Sequence, residues 1–223
     1  MAHLDLLSDP HASTRILGAR RLYRRIGKRA LDLSLAVILL PALLPIVAVL
    51  VLLVRRDGSA GLFAHTRVGR HGQTFACWKI RTMLPDAEAR LEHHLNTDPV
   101  ARAEWHRTQK LENDPRITRL GHLLRRTSLD ELPQIWNVLR GDMSFVGPRP
   151  VTIPELERYG PHSHVYLSLK PGITGLWQVT ARANGCYTQR LQLDQTYEQR
   201  ISLLQDLGLI ARTALVVVRP TGR

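Results

Sequence analysis

The chain has 223 residues, enough for one domain with its own core or for a domain with an attached segment, and its 44% hydrophobic content excludes wholesale disorder. A formal net charge of +12 calls for an anionic partner, and nucleic acid, an anionic membrane surface and phosphorylated small molecules all satisfy it. Two cysteines, Cys77 and Cys186, in no C-x-x-C arrangement argue against a disulfide scaffold and a cysteine zinc site, and the ten histidines form no ligand spacing.

Residues 1–27 are a basic N-terminal segment. Within "STRILGARRLYRRIGKR", apolar Ile16, Leu17, Leu22, Tyr23 and Ile26 are interleaved with arginines, as in an interfacial helix that favours anionic lipid. A disordered basic tail is the other reading for residues 1–14.

No charged residue occurs from Leu33 to Val54. As a helix this run measures ~33 Å, enough to cross a hydrocarbon core of about 30 Å. An ordinary transmembrane helix is the simplest reading. Against it stand Pro41 and Pro45 near the middle, each removing a backbone donor. Arg24, Arg25, Lys28 and Arg29 precede the run and Arg55 and Arg56 follow it, so both ends carry the cytoplasmic signature. A re-entrant helix hairpin over residues 28–56, bent at the prolines, fits these features best.

Residues 57–223 then form a soluble domain. "FAHTRVGRHGQTFACWKIRTM" reads as a β-hairpin turning at "GRHG". Period two places Phe75, Cys77, Lys79 and Arg81 on one face and Ala76, Trp78 and Ile80 on the other, so Lys79 and Arg81 project side by side. Residues 85–112 read as two exposed helices broken at Asp98-Pro99. Residues 117–126 read as a short helix with Ile117, Leu120, Leu123 and Leu124 inward.

Next comes "RRTSLDELPQIWNVLRGDMSFVGPRP". Ser128 and Glu131 have capping-box spacing, and Pro133 suits only a first helical turn, which puts Asp130 and Glu131 at a helix N-terminus that Gly141 closes. Ordinary capping explains the two carboxylates. Catalysis also explains them, because a helix start keeps a carboxylate ionised and welcomes phosphate oxygens. Arg149, between Pro148 and Pro150, is a pre-ordered guanidinium suited to phosphate. In "KPGITGLWQV", Gly172 and Gly175 mark backbone passing close to a ligand or another strand. "YTQRLQLDQTYEQR" reads as a helix carrying Asp194, and "LLQDLGLIARTALVVVR" as an apolar C-terminal helix of the core. Together these elements make an α+β fold.

From Lys28 to its C-terminus the chain resembles the bacterial sugar transferases, or monotopic polyprenyl-phosphate phosphoglycosyl transferases. The resemblance rests on "KRALD", "RVGRHGQTFACWKIRTM", "NDPRITRLGHLLRRTSLDELPQIWNVLRGDMSFVGPRP", "KPGITGLWQV" and "LDQTY", in that order. The central part is most similar to the galactose-1-phosphate and glucose-1-phosphate transferases of exopolysaccharide and O-antigen assembly. The resemblance implies transfer of a hexose 1-phosphate from UDP-galactose or UDP-glucose to undecaprenyl phosphate, at the cytoplasmic face of a bacterial inner membrane. It implies Asp130 as nucleophile through a covalent aspartyl-phosphosugar intermediate and Glu131 as a Mg²⁺ ligand. Lys79, Arg125, Arg149 and Asp194 match its substrate-binding positions. It leaves a homodimer open and implies no nucleic acid. Two departures stand out: Leu44-Pro45 replaces the family's frequent Ser-Pro at the helix break, and "QVTARANG" replaces a "QVSGRN" type segment that bears on sugar recognition. Two rivals remain. A membrane-tethered nucleic-acid-binding protein would use the charge, although Asp130 and Glu131 would repel phosphates. A non-catalytic scaffold for polysaccharide assembly would keep the fold without the chemistry.

Overall fold

A computed structural model describes Gly18 and residues 20–108, 111–180 and 186–218. Helices dominate, with one β-hairpin and one further two-stranded sheet, as expected of an α+β chain. The described chain separates into two units: residues up to Ala42, His65–Cys77 and the chain from Gln134 onward form one, and Leu43–Ala64 with Trp78–Pro133 form the other.

A π-helical turn, Tyr23–Gly27, runs into helix α1, Lys28–Val54. By length and composition α1 is the one helix among the described residues able to cross a membrane. It stays helical through Pro41 and Pro45, so the backbone shows a membrane-competent helix and does not show a reversal. The prolines are four residues apart, on one face, and deprive the carbonyls of Val37 and Pro41 of their i+4 donors. Only Asp32 and Ala36 of α1 are buried, while Val37, Ile38, Val49 and Leu52 are more than half exposed. That much apolar surface suits lipid rather than water.

The remaining elements of the first unit grip the base of α1. They are helix α5 (Gln134–Arg140), strand β3 (Ser144–Val146), helices α6 (Ile153–Glu157) and α7 (Ser163–Leu167), strand β4 (Gly172–Thr174), and helices α8 (Leu176–Thr180), α9 (Tyr187–Arg200) and α10 (Leu203–Val218). Lys28 Nζ donates to Asp206 at 2.6 Å and to the Tyr197 hydroxyl at 2.8 Å. Asp206, fully buried, also accepts from Tyr23 and Tyr197. Arg29 donates to the carbonyls of Val138 and Leu139, where α5 runs out of internal donors. Asp32 accepts from Ser144 Oγ and Phe145 N, both at 2.9 Å. Lys28 and Arg29, read from the sequence as membrane-flanking cations, are thus bound inside the fold. The cationic flank ahead of α1 is supplied by residues further upstream.

Strands β3 and β4 pair in parallel, Ser144 opposite Gly172 and Val146 opposite Thr174. The glycines of "KPGITG" are needed for this crossing. A Cβ on Gly172 would lie 2.1 Å from Gly147 N, and one on Gly175 2.1 Å from Gly147 O. Gly172→Ala is therefore expected to cost on the order of 3 kcal/mol, read as a lower chemical-denaturation midpoint in detergent, because backbone rather than a movable side chain must yield. An unchanged midpoint would mean the strands separate freely. Around this pair, Val146, Leu169, Tyr197, Ile201 and Leu209 form one core cluster, and Val68, Val151, Tyr159 and Tyr166 another. Helix α10 joins the core as expected, but with one face. Leu209 packs inward, but Leu203, Leu204, Leu207 and Leu215 are exposed, so α10 presents an apolar face outward.

Strands β1 (Leu62–Val68) and β2 (Thr74–Ile80) form the expected hairpin, turning with His71 and Gly72 at positive φ. In the second unit, helices α2 (Ala87–Thr97) and α3 (Pro99–Thr108) break at Asp98, whose carboxylate accepts from the N–H groups of Val100 and Ala101. Helix α4 (Arg119–Thr127) buries Leu124 fully, but Leu123 is exposed. Gly121 lets the start of α4 approach the Thr82 carbonyl, which a Cβ would meet at 2.1 Å.

Candidate active site

Helix α4 opens with Thr118 Oγ1 accepting from Gly121 N and closes at Ser128, whose φ of 58° is left-handed. That conformation ends a helix and does not begin one, so the Ser128–Glu131 capping box does not form. A 3₁₀ turn, Leu129–Glu131, follows, and α5 begins only after Pro133. The two carboxylates therefore sit in a tight turn ahead of α5, and the positive φ at Gly141 closes that helix as expected.

With the cap absent, Glu131 bonds to Lys79 instead. Lys79 Nζ, from β2, donates to Glu131 Oε1 at 2.7 Å and lies 3.9 Å from Asp130 Oδ2. Arg125, on the last turn of α4, donates through Nε to Thr82 Oγ1 at 2.9 Å. Asp130 is buried, and burial lifts its carboxyl above the usual range. Lys79 opposes that rise, Glu131 adds to it and Arg125 opposes it. A carboxylate stripped of water but flanked by two cations is poorly solvated and strongly oriented, as an attacking group requires. Four of the expected residues thus converge: Asp130, Glu131, Lys79 and Arg125. Arg81 does not join them. It donates to Asp57 and to the carbonyls of Val54, Ala60 and Met83, holding the chain where α1 gives way to β1.

Among the described residues no group of three or more His, Cys, Asp or Glu side chains could hold a metal alone. The Asp130–Glu131 pair nonetheless fits Mg²⁺ in donor chemistry: both are hard oxygen donors, and this ion is commonly held by one or two carboxylates plus substrate phosphates. The Lys79 ammonium on Glu131 shows that this carboxylate already partners a cation.

Arg149 and Asp194 belong to the first unit. Arg190 Nη2 donates to the Arg149 carbonyl at 2.8 Å, and Arg190 Nε lies 3.9 Å from Asp194. Asp194 also accepts from the Tyr159 hydroxyl at 2.9 Å and is almost wholly buried. The Arg190 guanidinium lies over the rings of Trp177, Tyr159 and Tyr187. Asp194 therefore reaches the Pro148–Pro150 segment through Arg190. Sequence reading did not single out Arg190, and its only signal is the i,i+4 spacing from Asp194. The "QVTARANG" segment proposed for sugar recognition falls largely outside the described residues.

Burial pushes Asp194 up to about 6, against the pull of Arg190 and the Tyr159 hydrogen bond. A raised carboxyl pKa makes the folded state bind more protons than the unfolded one, so this group's contribution to stability falls as pH rises from about 4 to about 6. The Asp194→Asn variant should lack that slope, a difference of about 3 kcal/mol between its pH profile and that of the wild type. Chemical-denaturation midpoints at pH 3 and pH 7, about a unit below the ordinary carboxyl value and about a unit above the raised one, measure it. Parallel profiles would show that Asp194 titrates at its ordinary value.

A sequence model of the family described as bacterial sugar transferase matches residues 23–220. The chain is 50% identical over 198 residues to the UDP-galactose-lipid carrier transferase of Erwinia amylovora, covering 89% of this chain and 42% of that protein. It is 46% identical over 198 residues to the undecaprenyl-phosphate galactose phosphotransferase of Salmonella typhimurium, covering 89% and 42%. It is 40% identical over 216 residues to the exopolysaccharide production protein ExoY of Rhizobium meliloti, covering 96% of each. The chain thus spans less than half the length of the first two relatives and nearly all of the third.

Proposed function

The chain belongs to the bacterial sugar transferase family, and from that premise we propose that it transfers a hexose 1-phosphate from a UDP-sugar, UDP-galactose or UDP-glucose, to undecaprenyl phosphate. The observation that carries this reading is the contact of Lys79 with both carboxylates of the Asp130–Glu131 pair. The names of the Erwinia and Salmonella relatives support the donor and the acceptor.

In this mechanism an Asp130 oxygen attacks the sugar-bearing phosphorus of the donor. The bond from that phosphorus to the bridging oxygen breaks, and UMP leaves with the electron pair. The phosphosugar stays on Asp130 as an acyl phosphate. A phosphate oxygen of the lipid then attacks the same phosphorus and frees the Asp130 carboxylate, giving undecaprenyl diphosphate sugar. Lys79 and Arg125 bind the phosphates beside Asp130 and offset the charge they bring, and Arg149 is carried over from the family resemblance as a further phosphate contact. Asp194 positions Arg149 by fixing Arg190 against the Arg149 carbonyl. Mg²⁺, held by Glu131 with substrate phosphate oxygens, would neutralise charge on the leaving phosphate. The test supplies purified chain with Mg²⁺, undecaprenyl phosphate and each UDP-sugar in turn, and follows UMP release and lipid-linked sugar. Release with one donor, dependent on the lipid for turnover, is expected. A folded protein with no release from any donor would leave the scaffold reading.

In the same proposal α1 enters the inner membrane from the cytoplasmic side and returns to it, bending where Pro41 and Pro45 leave two carbonyls without donors. Residues 28–56 are then a monotopic anchor and residues 57–223 the cytoplasmic catalytic domain. Arginines at both ends of α1 support this. Cysteines introduced as Leu22→Cys and Ser59→Cys in a Cys186→Ser background test it, since Cys77 is buried. Both should react with an impermeant thiol reagent only in inside-out vesicles. Reaction from opposite sides would make α1 a spanning helix.

A further inference from the structure

At the first turns of α1 lies a cavity of about 250 Å³. Six cations line it, Arg24, Arg25, Lys28, Arg29, Arg70 and Lys170, with Asp32 as the one carboxylate. Some of this charge is already matched. Arg24 pairs with Glu198 and Lys28 with Asp206, and Asp32 is occupied by Ser144 and Phe145. Among the described residues, Arg29 donates to two neutral carbonyls. Among the described residues, the side chains of Arg25, Arg70 and Lys170 have no hydrogen-bond or ion-pair partner.

These cations are also forced together. A Cβ on Gly141 would lie 3.4 Å from Lys170 Nζ and 3.6 Å from the Arg29 guanidinium, so both groups crowd the same glycine. Burial, then the charge of Arg29, holds the Lys170 ammonium below its usual value. Like charges gathered in a cavity, with three of them unpaired, make a site that lacks its anion. Guanidinium groups favour a phosphate, whose oxygens accept paired N–H donors.

The surroundings identify what carries the phosphate. Leu22 and Ile26, either side of the lining residues Arg24 and Arg25, are more than 60% exposed. The exposed apolar run of α1 begins at Leu33, directly after the lining residue Asp32. Leu204, 83% exposed, follows soon after the lining residue Ile201. Phosphate-sized cationic space bordered by exposed apolar side chains matches a lipid headgroup above its acyl chains. We infer that this cavity binds the phosphate of an anionic membrane lipid through Arg25, Arg70 and Lys170, with the acyl chains against the apolar surface of α1. This rests on the membrane placement of α1 and is independent of the transfer chemistry, since none of the lining residues belongs to the Asp130 cluster.

The test titrates phosphatidylglycerol into the full chain in neutral detergent and counts bound lipid by native mass spectrometry, with phosphatidylcholine and inorganic phosphate as parallel arms. Phosphatidylglycerol should bind the wild type more tightly than phosphatidylcholine. The Arg70→Gln/Lys170→Gln variant should bind it at least about tenfold more weakly. The charge-keeping Arg70→Lys/Lys170→Arg variant should retain binding, which guards against loss through misfolding. Arg102→Gln/Arg107→Gln, which removes equal charge from exposed positions on α3, should change nothing. Equal weakening by the two Gln pairs would reduce the effect to net charge and overturn the site. Displacement of phosphatidylglycerol by inorganic phosphate at equal concentration would make it a site for soluble anions and overturn the lipid assignment. No UDP-sugar enters the experiment, so absence of transferase activity would not imitate either failure.

Discussion

Asp130→Asn is expected to lower turnover by at least about 10⁴-fold, the scale on which removal of a covalent nucleophile acts. The substitution is nearly isosteric, and Glu131 keeps its bond to Lys79, so the turn ahead of α5 should survive. What disappears is the anionic oxygen that attacks phosphorus in the proposed mechanism. Two readouts separate this from a general loss of binding. UMP release should fall with little change in the donor's binding affinity. In wild-type protein given donor but no lipid, the intact mass should rise by one phosphosugar, and the variant should show no adduct. Activity retained within tenfold, or an adduct on the variant, would return Asp130 to the role of a turn residue.

The second large effect concerns stability. Lys28→Met should destabilise the first unit by about 3–5 kcal/mol, because it leaves the wholly buried Asp206 with only tyrosine hydroxyls as donors. The penalty comes from the stranded carboxylate more than from the lost pair. Lys28→Met/Asp206→Leu should therefore recover most of the loss, since apolar replacements of similar volume leave no buried charge. Chemical-denaturation midpoints of the two single variants and the double variant complete the cycle. A loss below about 1 kcal/mol in Lys28→Met would show that water reaches Asp206 and that the pair is weak.

The local part of this architecture was legible in the sequence because it obeys local rules. Alternation gave the hairpin, Asp98-Pro99 gave the break between α2 and α3, and the prolines around Arg149 marked a fixed segment. Local rules failed where the backbone left its regular period. Arg81 lies one residue beyond β2, so strand alternation no longer governs it, and its guanidinium turns to Asp57 and the carbonyls of Val54, Ala60 and Met83. The Ser128–Glu131 spacing promised a cap, but spacing carries no information about the sign of φ. Glycines 172 and 175 announced a close approach without saying to what, and Gly147 proved to be the partner. Pairs such as Lys28–Asp206, separated by 178 positions, leave no periodic trace, so Lys28 was read as a membrane flank.

That separation also dictates an order of events during synthesis. The apolar helix is made before the carboxylate that will neutralise Lys28, which follows 178 positions later, and it can enter lipid in the interval. Until Asp206 is made, Lys28 has no buried carboxylate to hold. The first unit can close only when α10 arrives, so insertion of α1 can precede folding, and closure of the first unit waits on a helix made long after the one it fastens.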